Sequence, residues 1–235
     1  LASYEARQTR MFNGRLLANP PKLDDFGFEL LKRKSAVSNF YNETHLKELY
    51  YPETAEIIRQ ESGATSVHVF DHTVRTPDTS THKEGWVRSP VRYVHNDYTE
   101  RSAAQRVNDF FPDEARDLLK NRFAIIQTWR SIGARVESEP LALCDGKTIP
   151  ETGFIRNERR YRDRTAETYH ISYNPAHEWY YFPHMTNDEL LIFKVFDTSQ
   201  DVDVRFTAHT AFSDPNTNAN APARQSIEMR ALAFF

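Results

Sequence analysis

The chain's second half is a succession of short β-type runs, and nothing else in the sequence limits the possible folds as tightly. Residues 123–132, 141–144, 168–173, 178–182, 190–196, 204–212 and 226–235 are rich in β-branched and aromatic residues, with turn-forming residues between them. Val67 and Val69 alternate with polar neighbours, and 91–98 forms another run of this kind. Strands this short and numerous bury their apolar faces by closing into a sandwich or barrel, and a double-stranded β-helix (a cupin-like jelly roll) fits the count. Helices are added to it. Residues 1–63 read as an irregular arm, broken at Pro20 and Pro21, followed by helical spacing over 44–50 and 53–61. Gly63 is placed to cap the second of these helices. Thr99 and Asp113 are placed to start two helices of an insert over 99–121. The expectation is mainly β with added helices, in a single domain over 1–235 whose core spans 64–235.

Composition narrows the function classes. A chain of 235 residues buries enough surface to do without a disulfide or a structural metal. The lone Cys144 permits no internal disulfide, which points to a reducing compartment. Thirty Lys and Arg against 33 Asp and Glu give a net charge of −3, with no broad basic field for nucleic acid and no polybasic membrane signal. No apolar run approaches the roughly 20 residues needed to cross a bilayer. The chain starts at Leu1, not Met, which leaves a removed leader open. The residues themselves read as a soluble, cytoplasmic protein that acts on a small molecule.

Chemistry concentrates around His95-Asn96-Asp97. Residues two apart on a strand share a face, so His95 and Asp97 present an imidazole and a carboxylate side by side. A third ligand from elsewhere would complete a two-histidine, one-carboxylate triad, which suits iron(II) and leaves coordination positions open. One such triplet among nine histidines is weak alone, and His82-Lys83-Glu84 offers the same ligand types. That competitor lies in the polar, turn-like stretch 77–85, where no strand aims both groups.

Order along the chain strengthens the signal. His209 stands in a β-type run, and Arg224 and Ser226 follow fifteen positions on, again two apart and so on one strand face. An arginine fork with a nearby hydroxyl suits the far carboxylate of 2-oxoglutarate, whose keto-acid end would chelate the iron. Each residue also has an ordinary reading: Arg224 as a surface ion pair, His209 as a satisfied core histidine. Rival functions are a metal-dependent hydrolase or isomerase with the same ligands, and a metal-free jelly-roll binding module.

Longer stretches point the same way: HNDYT over 95–99, WR at 129–130, PLALCD over 140–145, HEWYYFP over 177–183, DELLIFK over 188–194, FD at 196–197, HTAF over 209–212 and RQSIEMR over 224–230. In these the chain resembles the hydroxylase/desaturase family of fungal and bacterial secondary metabolism, which includes the cephamycin 7-alpha-methoxylase component. The resemblance implies a jelly-roll oxygenase using Fe(II), 2-oxoglutarate and O2, with His95, Asp97 and His209 as metal ligands and Arg224 as the co-substrate clamp. It implies oxidation of an unactivated C–H bond, by hydroxylation, desaturation or cyclisation including C–N bond formation. QTWRS over 127–131 departs from the family pattern of asparagine first and proline last, and the Gln127 amide is expected to reach the co-substrate instead. Arg130, His170 and Tyr180 are the candidate substrate residues. Arg130 suggests a carboxylate-bearing, amino-acid-derived substrate, the alternative being an internal ion pair with Glu189 or Asp197. The run 156–164 reads as a solvated loop able to act as a lid.

Overall fold

The computed structural model describes residues 3–81, 85–160 and 165–235. Their strands in chain order are β1 (Met11–Asn13), β2 (Phe28–Lys32), β3 (Ser66–Arg75), β4 (Val87–Arg88), β5 (His95–Asn96), β6 (Phe123–Ser131), β7 (Leu141–Cys144), β8 (Phe154–Arg160), β9 (Thr165–Ile171), β10 (Trp179–Tyr181), β11 (Glu189–Asp197), β12 (His209–Ala211) and β13 (Ser226–Phe234). They form two sheets. The first runs β1-β10-β7-β12-β5-β9-β8 and the second β2-β11-β6-β13-β3-β4. All neighbours are antiparallel except β1 on β10 and β3 on β4. Two facing sheets, few helices and mostly non-consecutive neighbours make the jelly roll expected from the sequence.

The central strands of the second sheet are apolar on both faces because both are covered. Phe123, Ile125 and Trp129 of β6, Leu191 and Phe193 of β11, and Leu232 and Phe234 of β13 pack inward with Phe28, Leu143 and Tyr180. Ala124, Ile126, Ile192, Ile227, Met229 and Ala231 point outward, against Leu46, Tyr50, Ile57 and Ile58. Those four come from the front helices, a turn of π type (Leu46–Tyr50) running into α1 (Tyr51–Ser62). Gly63 ends α1 as expected, with φ of 73° and its N–H on the Arg59 carbonyl at 3.1 Å. Each fully buried Leu or Ile here contributes about 1.5–3 kcal/mol. The expected insert forms as α2 (Glu100–Phe110) and α3 (Ala115–Leu118).

Five expectations need correction. The arm supplies β1 and β2, which extend the two sheets through partners brought only by tertiary contact, β10 and β11. The run 91–98 pairs as a ladder only at His95–Asn96, because the Asn96 side chain takes the Tyr98 N–H at 2.9 Å and turns the backbone out of the sheet. The run 204–212 likewise narrows to β12. Residues 156–160 belong to β8, paired in register with β9, so a loop over 156–164 does not hold; 161–164 and the competitor His82-Lys83-Glu84 lie outside the described residues.

Arg130 is the fifth. On β6 it faces outward with Ala124 and Ile126, opposite to Gln127 and Trp129, so it does not line the interior. Fully buried, it donates through Nε to the Tyr50 hydroxyl at 3.1 Å and through Nη1 to the Arg33 and Asn187 carbonyls. Nη2 lies 3.8 Å from Glu53. Neither Glu189 nor Asp197 is its partner: Arg15 binds the first, Arg122 and Lys194 the second. Arg130 pins the front helices to the sheet. Arg130→Met should therefore lower stability by about 3–5 kcal/mol in chemical denaturation, by stranding buried acceptors, while the ratio of succinate released to product formed stays at the parent value.

Candidate metal centre

Sheet register assembles the two histidines. His209 on β12 stands opposite His95 on β5, which stands opposite His170 on β9. Directly paired residues share a face, and the His95 and His209 rings lie 4.3 Å apart between centroids. His95 Nδ1 sits 2.9 Å from the Tyr93 carbonyl, so it carries the proton and Nε2 the lone pair. His209 Nδ1 is buried with no partner. Burial first, and then His95, push the His209 pKa down to about 3, so the ring is neutral at physiological pH.

Asp97 follows β5 in a short segment fixed from both sides. Ahead of it, the Asn96 amide donates to the Thr207 carbonyl at 2.6 Å. Behind it, Thr99 and Ser102 form a reciprocal capping box at the start of α2. One ligand atom each from His95, Asp97 and His209 lie within 4.8 Å of one another. The carboxylate presents Oδ1 to His95 Nε2 at 3.5 Å. Its Oδ2 accepts from Gln127 Nε2 at 2.6 Å and from Arg230 Nε at 3.0 Å, both reaching across from the second sheet. Burial alone would raise the Asp97 pKa. The Arg230 guanidinium, with smaller help from His95 and His209, overcomes this and holds it well below the usual carboxylate range. The donor set, two nitrogen lone pairs and an ionised carboxylate on an enclosed face, fits a divalent cation such as Fe(II).

A cleft runs from the triad to Arg224, walled by His95, His209, Trp129, Leu141, Arg224 and Glu228. Arg224 is buried, its guanidinium 5.5 Å over the Trp129 ring, and donates through Nη1 to the Glu139 carbonyl at 2.6 Å. Burial pushes its pKa down to about 10, which leaves it charged. Its Nε and the Ser226 Oγ are both buried without partners. A cation and a hydroxyl held unsatisfied beside a metal-type triad fit a carboxylate-bearing ligand.

The remaining sequence candidates fall in different places. Gln127 was expected to reach the co-substrate; its amide N–H donates to Asp97, leaving only Oε1, buried and unpaired. His170 flanks His95 in the same row of the sheet, its ring 5.3 Å from Tyr93 and 5.4 Å from Tyr4. Tyr180 lies in that row too, but Leu143 separates it from His209. It packs among Phe12, Phe26 and Phe28, and its hydroxyl donates to Glu178 at 2.8 Å. Arg130, as described, faces the other side of the sheet.

Sequence reading missed Arg230 and Glu228. Arg230 donates to Asp71 at 3.0 Å as well as to Asp97 and Glu228, and Arg75 donates to Glu228 at 2.8 Å. Against burial, Arg230 and Arg75 hold the Glu228 pKa down at about 2. The signal was available: Arg224, Ser226, Glu228 and Arg230 put four polar groups at a period of two around Ile227 and Met229, so one face of a buried strand is polar up to Arg230.

Known proteins with this architecture identify the family. The family described as "Oxidoreductase/YMDC permease-like domain" matches residues 2–234. The alpha-ketoglutarate-dependent dioxygenase phiK of Fungal sp. (strain ATCC 74256) is 32% identical over 91% of this chain and 79% of its own length. The hydroxylase/desaturase CTB9 of Cercospora beticola is 31% identical over 99% of this chain and 78% of its own. Among solved structures, the iron and alpha-ketoglutarate-dependent endoperoxidase NvfI superposes with a TM-score of 0.87 at 26% identity, covering 96% of this chain and 85% of that one. Matched over nearly its whole length, the chain belongs to this oxidoreductase family and groups with its hydroxylase/desaturases and alpha-ketoglutarate-dependent dioxygenases.

Proposed function

We propose that His95, Asp97 and His209 hold Fe(II) and that Arg224 and Ser226 hold the far carboxylate of 2-oxoglutarate. The chain is an Fe(II)- and 2-oxoglutarate-dependent oxygenase of the secondary-metabolic type its relatives represent. One observation carries the residue assignment. His95 and His209, two of three metal-type ligands whose atoms lie within 4.8 Å of one another, share a cleft with Arg224, whose buried Nε lacks a partner among the described residues, as does the Ser226 hydroxyl two positions on. That combination favours this reading over a hydrolase or isomerase, which needs no carboxylate clamp, and over a metal-free binding module, which needs no triad.

When bound, Fe(II) with 2-oxoglutarate and O2 supplies an oxidant able to take hydrogen from an unactivated C–H bond, 2-oxoglutarate leaving as succinate and carbon dioxide. The chain's residues provide the setting. Asp97 is ionised and offsets the cation's charge, His209 offers a neutral ring at physiological pH, and His95 is turned by its Nδ1 contact so that Nε2 faces the site. Arg224 fixes the co-substrate from the opposite end of the cleft, its charge strengthened by the surrounding Trp129 and Leu141, which exclude water. Hydroxylation, desaturation and cyclisation differ only in how the substrate is placed. His170, beside His95, is the sequence candidate nearest the triad. An amino-acid-derived substrate loses its main support with Arg130 turned away, and a small molecule is what remains. We place the activity in a single domain spanning 1–235, since β1 and β2 of the arm complete both sheets, and in the cytoplasm, in keeping with the single buried Cys144. No helix among the described residues is long and apolar enough to cross a membrane.

Two experiments test these roles. His95→Ala and Asp97→Ala should each abolish stoichiometric Fe(II) binding in anaerobic titration while the fold persists, because the two cores do not depend on the ion. Unchanged affinity in either would move the site, with His82 and Glu84 next in line. Arg224→Ala should raise the apparent KM for 2-oxoglutarate by the equivalent of about 2–5 kcal/mol and leave Fe(II) affinity near the parent value. Normal dependence on 2-oxoglutarate in that variant removes the clamp assignment.

A further inference from the structure

We infer that Arg230 is a positioning residue for the metal centre: with Gln127 it occupies Asp97 Oδ2 and leaves Oδ1 as the single oxygen able to bind the ion. The inference rests on reading the triad as the iron site. A carboxylate oxygen has two lone-pair directions. At Oδ2 both are taken, by Gln127 Nε2 at 2.6 Å and Arg230 Nε at 3.0 Å. Oδ1 accepts no hydrogen bond from the described residues and lies on the His95 side, 3.5 Å from Nε2.

The guanidinium cannot swing away to release Oδ2. Its Nη1 is tied to Asp71 at 3.0 Å and Thr73 at 3.3 Å, and its Nη2 to Glu228, which Arg75 holds in turn. A planar fork satisfied on three sides leaves one orientation for the fourth N–H. The consequence is a count of open positions. Three single-atom ligands leave three places in a six-coordinate shell, two for a chelating keto acid and one for O2. An Asp97 bound through both oxygens would leave only two, and the keto acid would fill them. With an ion bound, Arg230 and Gln127 would thus keep one position free for O2 through their hold on Asp97 Oδ2 alone.

Co(II) titration under argon of the full chain and its variants tests this, with far-UV circular dichroism to confirm folding. Arg230→Met should shift Co(II) affinity about 10–100-fold, since Asp97 loses the contact that fixes how it binds. Its Co(II) visible spectrum should also change, reporting a different coordination number. Arg230→Lys, which keeps the charge and one donor, should fall between the two. If Arg230→Met does not fold, Arg230→Met with Glu228→Met takes its place with the same expectation, because it removes the buried pair with its charge balance kept. A folded variant whose affinity stays within about twofold of the parent, with an unaltered visible spectrum, overturns the inference. His95→Ala run alongside separates the failures. If it too binds like the parent, the triad reading is wrong; if it loses binding while Arg230→Met retains it, only the positioning role falls.

Discussion

A carboxylate on one sheet is held by a cation and an amide on the other, and the interior of this jelly roll is arranged around that tie. Asp97 leaves the first sheet just after β5, and Gln127 and Arg230 reach it from β6 and β13. An isolated carboxylate between two sheets would carry a desolvation cost of several kcal/mol. It persists as an anion because Arg230 is itself held in place by Glu228 and Asp71. The charges form a chain in which no member could be removed without stranding its neighbour. Such a network gives up some stability for a fixed geometry, which suits a site whose three ligand atoms must converge.

Stability comes from elsewhere, and the second sheet shows how the roles are divided. Its inner face carries Gln127, Glu228 and Arg230 near the triad, with Phe193 against His209, and is aromatic further along, through Phe123 and Phe234. Its outer face is apolar along the outward positions of β6, β11 and β13 and is sealed by the front helices. Arg130 is the main polar group on that outer face, and its contacts to Tyr50 and to the Arg33 and Asn187 carbonyls lock the seal. The two arginines sit on opposite faces of adjacent strands and do opposite work. One organises a site, and the other holds the helices that let the site be polar.

The sequence made the triad legible because strand periodicity is local. His95 and Asp97 needed only their separation of two, and Arg224 and Ser226 the same. The long β runs at 123–132, 190–196 and 226–235 declared themselves through β-branched and aromatic content. The arm strands were not legible. Met11–Asn13 and Phe28–Lys32 are short, and their partners arrive more than 150 residues later. Arg130 was misplaced because on a strand buried on both sides, position alone does not say which face is the interior. Had Gln127 been taken as the fixed inward residue, the period of two would have sent Arg130 outward.

That last point bears on how a polar strand can be read. On β13 the residues at 226, 228 and 230 are all polar, with Arg224 two positions ahead of the strand, and those at 227, 229 and 231 are all apolar. In an exposed sheet this alternation means a solvated face. Here both faces are buried, so the polar one must face an interior that tolerates charge, and in a jelly roll that interior is the cleft. The alternation therefore marks β13 and the residue leading into it as a wall of the cleft, with Arg224 at one end and Arg230 beside Asp97, six residues apart along the chain. A strand that is polar on one face and buried on both carries more functional information than any single motif along it, because burial without solvent forces each polar group to have a partner or a ligand.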